Sequence, residues 1–363
     1  MKKLKVCSLF SGAGGTDLGF VGGFTHLGVE YEPLPYKVVW ANDIDPDAAA
    51  TYRENVTFLG KHTFVEGDIR SVEPSSIPEF DVLLAGFPCQ PFSNAGNRRG
   101  IHDDRGTLFH EVERIIKAKA PQAFVLENVK GILSVKMPDG LSVPDEIRKR
   151  LSRVKLDTGG FAKYNITQPK LVKSEAFGVP QQRHRVLIVG VREDAGDLFD
   201  FEKLTKYVKE KSLEKLTVRS VLDGIDKVDK NQEVWGFSPQ AMRLVPMITR
   251  SWKDIPYEFL PERFQRIRDQ MKKYRSPNFY RRFGLDEING TITASAQPEN
   301  CGIIHPTKHR RYSVREIARI QSFPDDYKFV GRSVSEKYKV IGNAVPPVLA
   351  FVVAKALYAH LRG

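Results

Sequence analysis

Cys89 is the residue of this sequence best placed to act as a nucleophile. It follows the apolar run 81–85, on a turn that Gly86 and Pro88 bend. A cysteine in that position is presented to a ligand rather than packed into a core. Glu127 ends a second apolar run, and on a neighbouring strand its carboxyl group would hold or supply a proton beside the thiol. A buried glutamate that caps a helix is the simpler alternative.

Two arginines, Arg183 and Arg185, stand at positions i and i+2, so on a strand they face the same side. Arg185 leads into the apolar run 186–189. This indicates a buried guanidinium that could hold an anion or a carbonyl group. Arginines are more often solvated, and a surface position is the alternative for both.

A glycine-rich loop follows the first apolar run, with the sequence Phe10-Ser11-Gly12-Ala13-Gly14-Gly15. Glycines allow a sharp turn and the close approach of a ligand to the backbone, although tight packing explains them equally well. Asp43 ends the next apolar run, where a carboxylate can accept hydrogen bonds from ribose hydroxyls. Asp68 ends another and could accept from an exocyclic amine, or cap a helix. Together these features predict an adenosine-containing cofactor.

The elements that must position these residues alternate between strands and helices over the first 190 residues. We predict strands over 5–9, 37–42, 81–85, 123–127 and 185–191, and helices over 46–55 and 106–119. This alternation is typical of a doubly wound α/β fold. Ser313 and Glu316 predict a capping box at the start of a later helix, and 345–361 reads as a closing helix.

Composition limits the class of protein. The chain has 363 residues, 41% of them hydrophobic, and a net charge of +12, which favours a polyanionic partner such as nucleic acid or merely keeps the surface soluble. Its three cysteines, Cys7, Cys89 and Cys301, are too few for a disulfide framework, and no spacing indicates a metal site. Without a signal peptide or a run of eighteen apolar residues, we expect a cytoplasmic protein that spans no membrane.

Six blocks of the sequence, in this order, resemble those of the C5-cytosine DNA methyltransferases of bacterial restriction-modification systems. They are 10–15, 88–90, 104–108, 127–129, 181–185 and 342–346. The resemblance implies a Rossmann-like methyltransferase domain over 1–191, completed by 305–363. It also implies a smaller, irregular target recognition domain over 192–304.

The resemblance also implies a mechanism. The Cys89 thiolate would add to carbon 6 of cytosine, so that carbon 5 takes a methyl group from S-adenosyl-L-methionine and S-adenosyl-L-homocysteine is released. Glu127 would hydrogen-bond or protonate ring nitrogen 3. Arg185 would hold the ring carbonyl and orient Glu127, with Arg183 as a supporting arginine. No metal is expected.

Cofactor residues are implied in the same way, and they come from both ends of the chain. Phe10 would stack on the adenine, the loop 11–15 would enclose the methionine portion, and Asp43 would bind the ribose. The remaining expected cofactor contacts are Ile44, Asp68, Ile69, Leu108, Asn343, Ala344 and Val345. The family more often has glutamate at the position of Asp43.

Double-stranded DNA is the expected partner, and a buried cysteine can reach its base only if the nucleotide is flipped out. The residues expected to contact DNA are Ser93, Arg98, Arg99 and Arg105 after the nucleophile, and Arg281, Arg282, Thr291 and Gln297 in the recognition domain. The basic, aromatic-containing run 263–282 is the candidate DNA face. We expect a monomer, paired in function with a restriction endonuclease.

Three alternatives stay open. A transfer-RNA cytosine methyltransferase shares the fold and the cysteine–glutamate chemistry. A dinucleotide-dependent oxidoreductase would explain the glycine loop and Asp43, but it leaves Cys89 and Glu127 without a joint role. A catalytically inactive DNA-binding module would explain the charge without needing the nucleophile.

Overall fold

The computed structural model describes residues 2–88, 108–137, 140–270, 278–295, 297 and 302–363. Five residues predicted to act on the target base or contact DNA therefore lie outside the described residues. They are Cys89, Ser93, Arg98, Arg99 and Arg105.

Strands supply the centre of the fold. In chain order they are β1 Leu4–Leu9, β2 Phe24–His26, β3 Val29–Tyr31, β4 Tyr36–Asp43, β5 Thr63–Glu66, β6 Val82–Ala85, β7 Ala123–Val129, β8 Arg153–Lys155, β9 Phe161–Ile166, β10 Lys170–Lys173, β11 Gln181–Gln182, β12 His184–Arg192 and β13 Asn289–Gly290. Each predicted strand is present, with ends that differ from the prediction by one or two residues.

Helices connect strands of the main sheet, and further helices follow β12 in the later part of the chain. They are α1 Gly15–Val21, α2 Pro46–Glu54, α3 Val56–Leu59, α4 Leu108–Lys119, α5 Val143–Ser152, α6 Glu210–Leu213, α7 Val218–Leu222, α8 Pro239–Leu244, α9 Glu262–Gln270, α10 Val314–Ile320, α11 Val334–Asn343 and α12 Pro347–Arg362. Local chemistry sets their starts: Asp45 caps α2 ahead of Pro46, and Ser313 and Glu316 form the predicted capping box of α10.

In the described part of the chain the main sheet has nine strands in the order β5-β4-β1-β6-β7-β12-β9-β8, with β10 also paired to β12. The strands from β5 to β7 are parallel, and β12 runs antiparallel to β7. From β1 the chain adds β4 and β5 on one side of the sheet, and it then adds β6 and β7 on the other side. The order of the strands therefore reverses at β1, which lies between β4 and β6. In a doubly wound sheet, ligands bind at the carboxyl edge of the strands beside such a reversal. The predicted fold class is confirmed.

The last helix belongs to the main hydrophobic core. Helix α12 packs on α1 so closely that a β-carbon at Gly19 would lie 2.4 Å from the β-carbon of Ala350. The stretch Val334–Arg362 is long and apolar enough to cross a membrane by length and composition, but 83% of its most apolar window is buried within the protein. That burial is typical of a core helix.

The predicted recognition region contributes to two cores. Its own small core includes the buried residues Trp252, Phe264, Phe279, Tyr280 and Ile304. The earlier residues Phe199, Leu204, Val218 and Val221 instead join the main core. The aromatic residues of the candidate DNA face that are described, Phe264, Phe279 and Tyr280, thus face inward. The prediction that the aromatic residues of 263–282 contact DNA together with its basic residues is therefore wrong for Phe264, Phe279 and Tyr280.

His26 predicts an acid-sensitive stability. Its ring is buried and Nε2 lies 2.8 Å from the carbonyl oxygen of Arg319, and burial lowers its pKa from 6.5 to about 4. Between pH 6.5 and pH 4 the His26 ring is protonated in the unfolded chain but stays neutral in the folded protein. The contribution of neutral His26 to the free energy of unfolding is therefore complete above pH 6.5 and is lost as the pH falls towards 4.

We expect the free energy of unfolding to fall between pH 7.5 and pH 5, with a contribution of about 2 kcal/mol from His26. In His26→Gln, urea titrations at the two pH values should show a correspondingly smaller loss. His360, which also lies near a backbone carbonyl, is the matched control: His360→Gln should keep the wild-type difference. An unchanged difference in His26→Gln would contradict the assignment.

Candidate active site

A cavity of about 580 Å³ opens at the carboxyl edge of the parallel strands. Its walls come from the ends of β1, β4, β6 and β7, from the turn after β5, from the start of β12 and from the segment between α11 and α12. The predicted catalytic and cofactor residues that line it are Phe10, Ser11, Gly12, Asp43, Ile44, Asp68, Ile69, Leu108, Glu127, Arg183, Arg185, Asn343, Ala344 and Val345. Both ends of the chain therefore meet in one cavity.

The glycine-rich loop and the end of β4 are joined by direct hydrogen bonds. The N–H group of Gly12 donates to Oδ2 of Asp43 at 2.7 Å, and the N–H group of Asp45 donates to Oδ1 at 2.8 Å. Burial raises the pKa of the Asp43 carboxyl group, and these N–H groups oppose that rise. These N–H groups fix the orientation of the carboxylate at the edge of the cavity.

Three residues of the predicted loop, Ala13, Gly14 and Gly15, do not line the cavity. They pack behind its wall. The hydroxyl of Tyr327 donates to the Ala13 carbonyl, and a β-carbon at Gly15 would lie 2.2 Å from the carbonyl oxygen of Val345. Gly15 is therefore needed for the approach of the carboxyl-terminal segment, which is the packing role left open for these glycines.

Asp68 lies on the turn after β5, as predicted, and of the two roles considered for it the capping role is observed. It lines the cavity and also caps a short 3₁₀ turn, where its Oδ1 accepts from the N–H group of Arg70 at 2.9 Å. The Arg70 guanidinium holds the pKa of Asp68 below its usual value. Asn42, which sequence reasoning missed, donates to the carbonyls of Val65 and Gly67 at 2.9 and 2.8 Å and so fixes this turn.

Glu127 and Arg185 form an ion pair in the cavity, with 2.8 Å between Oε1 and Nε. Their side chains are 17% and 11% exposed. Burial lowers the pKa of Arg185, and the charge of Glu127 opposes that decrease. A β-carbon at Gly86 would lie 3.2 Å from Oε2 of Glu127. One carboxylate oxygen is thus held by Arg185, while the other faces the turn that precedes Cys89.

Asn128 secures that turn, and its role was not predicted. Its Nδ2 donates to the carbonyl of Phe87 at 3.0 Å, and its Oδ1 accepts from the N–H group of Val129 at 2.9 Å. The side chain is buried. Pro88, which precedes Cys89 in the sequence, lines the cavity. The residue after Glu127 therefore orients the segment that leads to the predicted nucleophile.

Arg183 also lines the cavity, but its guanidinium is committed to backbone carbonyls. Nη1 donates to Ile292 at 2.9 Å, and Nη2 donates to Gly342 and Ala344 at 2.9 and 3.0 Å. Burial lowers the pKa of Arg183. These contacts make Arg183 a link between chain segments around the cavity.

Arg282 requires a correction among the predicted DNA contacts. It is 6% exposed, and its guanidinium donates to the carbonyls of Ile248, Val245 and Lys308 at 2.9, 3.1 and 2.9 Å. A side chain held in this way stabilises the small core and cannot reach a base edge. The prediction for Arg282 as a groove-reading residue is therefore withdrawn.

The other described residues that were predicted to contact DNA, Arg281, Thr291 and Gln297, are partly exposed. Arg281 pairs with Glu287 at 2.8 Å. Thr291 is part-exposed, and its hydroxyl donates to the Gln182 carbonyl at 2.5 Å. Gln297 accepts from Arg311 at 3.3 Å. Thr291 is thereby joined to the strand pair that leads to Arg183 and Arg185.

The fold defines a Rossmann-like α/β class, with a cavity at the strand ends that holds a glutamate–arginine pair. The C-5 cytosine-specific DNA methylase family matches residues 4–359. The type II methyltransferase M.NgoFVII of Neisseria gonorrhoeae is 35% identical over 98% of this chain and 86% of its own length. M.Eco47II, a type II methyltransferase of Escherichia coli, is 34% identical over 98% and 79%.

Among solved structures, the Dnmt2 methyltransferase of S. pombe superposes with a TM-score of 0.63 at 17% identity, over 98% of this chain and 99% of that one. At this identity the likeness concerns the fold alone. From the family match and the relatives, the chain belongs to the C-5 cytosine-specific DNA methylase family.

Proposed function

We propose that this protein methylates carbon 5 of a cytosine within a specific sequence of double-stranded DNA, with Cys89 as a covalent nucleophile and S-adenosyl-L-methionine as methyl donor. The observation that carries the proposal is the Glu127–Arg185 pair, 2.8 Å apart, in a cavity whose wall includes Pro88. An acid and a fixed cation beside the segment that leads to a cysteine are the groups that activation of a pyrimidine ring requires.

The cavity suits a nucleoside cofactor. Its volume of about 580 Å³ lies within the usual range for small-molecule sites, ~300–1,000 Å³. Asp43 would accept the ribose hydroxyls, Ile44 and Phe10 would contact the adenine, and Asp68 would accept its amine. Ile44 supports this assignment because its apolar side chain is 64% exposed at the cavity. When bound, the cofactor supplies an electrophilic methyl group.

The protein side of the reaction starts with the thiolate of Cys89, which forms a bond to carbon 6 of the flipped cytosine. The electrons of the carbon 5–carbon 6 double bond then make carbon 5 nucleophilic, while Glu127 holds a proton at nitrogen 3. Arg185 stabilises the ring carbonyl and fixes Glu127. After carbon 5 has accepted the methyl group, it loses its proton to a base, the sulfur–carbon 6 bond breaks, and the double bond returns.

A protective role in a restriction-modification system completes the proposal. The relatives M.NgoFVII and M.Eco47II are both named type II methyltransferases. A net charge of +12 supports binding to DNA phosphates, for which Ser93, Arg98, Arg99 and Arg105 are the proposed contacts. Arg281, Thr291 and Gln297 are the proposed contacts of the recognition region. A cognate endonuclease would cut the same sequence when it is unmethylated.

Bisulfite sequencing tests the proposed function directly. Plasmid DNA incubated with the purified protein and S-adenosyl-L-methionine should contain unconverted cytosines at one position of one short sequence, and nowhere else above background. A parallel reaction with bulk transfer RNA should give no modified cytosine. Methylation of transfer RNA alone, or of neither nucleic acid, would overturn the proposal.

A further inference from the structure

Gln321 is a fully buried amide that packs against the end of α11, behind the cavity wall formed by residues 342–345. Its Nε2 donates to the carbonyls of Ile341 and Ala344 at 3.1 and 2.6 Å, at the end of α11. Its Oε1 accepts from Nε2 of Gln181. Gln181 is also fully buried, and its own Oε1 accepts from the N–H group of Ile292 at 2.8 Å. One chain of amides thus joins the cofactor side of the cavity to the segment after β13.

Arg183 makes the same connection by a second route, from Ile292 to Gly342 and Ala344. The backbones also touch directly. A β-carbon at Gly342 would lie 2.5 Å from the carbonyl carbon and oxygen of Thr293. The segment that carries Thr291 and Thr293 therefore cannot shift relative to the end of α11 without breaking a packed contact and several buried hydrogen bonds.

We propose that Gln321, together with Gln181 and Arg183, forms a positioning network through which cofactor binding strengthens DNA binding. The inference rests on the proposed function, because it takes Asn343–Val345 as a cofactor contact and Thr291 as a DNA contact. We refer to these three side chains as the buried junction.

The physical basis is shared ordering. A cofactor in the cavity contacts residues 343–345 and restricts the end of α11. The buried junction ties the Ala344 carbonyl to the Ile292 backbone, so a bound cofactor also restricts the motion of the segment proposed to contact DNA. Less conformational entropy is then lost when DNA binds, and DNA binding becomes stronger. Linkage requires the reciprocal effect, so DNA strengthens cofactor binding by the same factor.

The test compares DNA affinity with and without saturating S-adenosyl-L-homocysteine, on a duplex that carries the site mapped by bisulfite sequencing. In the wild type we expect the product cofactor to tighten DNA binding by at least about fivefold. In Gln321→Met, which keeps the side-chain length but removes both donors and the acceptor for Gln181, the ratio of DNA affinity with the product cofactor to DNA affinity without it should fall to within about twofold of one. Thermal unfolding of each variant sets an assay temperature at which it is folded.

Gln232→Met is the control for a lost amide, because Gln232 also donates to two backbone carbonyls, those of Ile225 and Val228 at 3.0 and 2.6 Å, but it is exposed and its hydrogen bonds reach neither the end of α11 nor the segment after β13. It should keep the wild-type ratio. If Gln321→Met does not fold, Gln181→Met breaks the same chain of amides at its other end and should also lose the ratio.

Three results would overturn the inference: no effect of the product cofactor in the wild type, an unchanged ratio in Gln321→Met, or an equal loss in Gln232→Met. A structural role alone would lower stability without changing the ratio. Failure of the proposed function is distinct, because the wild type would then leave no methylated cytosine in DNA.

Discussion

Replacing Cys89 with alanine is expected to abolish DNA methylation, with a fall in kcat of roughly 10⁴-fold or more. Carbon 5 of cytosine becomes nucleophilic only after a nucleophile has added at carbon 6, and alanine offers none. Binding of DNA and of S-adenosyl-L-homocysteine should change little, because the proposed cofactor contacts come from other residues. Single-turnover transfer of a radioactive methyl group measures the rate, and fluorescence anisotropy measures DNA affinity.

Cys7→Ala is the matched control for a lost thiol. Cys7 is fully buried in β1, and burial raises its pKa well above the usual value, so it is not an available nucleophile. This variant should methylate DNA at close to the wild-type rate. A duplex with 5-fluorocytosine at the target should trap a covalent complex with wild type and with Cys7→Ala, since fluorine cannot leave as a proton. Trapping by Cys89→Ala would contradict the mechanism.

Glu127→Gln is expected to lower kcat by about 10²- to 10⁴-fold, the usual contribution of a positioned acid. Glutamine can donate a hydrogen bond to nitrogen 3 but cannot transfer a proton to it. It also leaves the buried Arg185 without its counter-charge. Affinity for S-adenosyl-L-homocysteine should stay near the wild-type value, because Asp43 and the glycine loop lie at other strand ends. Stopped methylation assays and isothermal titration separate the two effects.

Glu113→Gln separates catalysis from the general cost of losing a half-buried ion pair. Glu113 is 12% exposed and pairs with Arg150 at 3.2 Å, away from the residues that line the cavity. Its substitution should lower thermal stability slightly and leave kcat within about twofold. If Glu127→Gln reduced kcat no more than Glu113→Gln, Glu127 would have no special part in the reaction.

The positions of the predicted catalytic and cofactor residues can be derived from the sequence because these residues stand at the ends of apolar runs. Parallel pairing brings the ends of β1, β4, β6 and β7 to one edge, so the residues there must be neighbours. Asp43 and Glu127 reach the cavity for this reason. Arg185 does so on an antiparallel strand, where it pairs in register with Val129, two residues beyond Glu127.

Side chains that bind distant carbonyls could not be predicted in this way. Arg282 belongs to a basic run that favours solvent exposure, yet its acceptors lie at 245, 248 and 308. Asn42, Asn128 and Gln321 hold the turns and segments around the cavity, but an amide in a sequence does not indicate which loop it will meet. Such residues become recognisable only when the packing of remote segments is known.

Helix α12 and the segment before it place a constraint on the making of this enzyme. The glycine loop needs the carbonyl of Val345 beside Gly15, and α1 needs Ala350 against Gly19. During translation the first strands leave the ribosome long before these partners exist, so the nascent chain carries an incomplete cavity wall and an uncovered helix. These two contacts therefore form only after residue 350 has been synthesised, and we expect a chain stalled before residue 342 to expose apolar surface and to lack methylating activity.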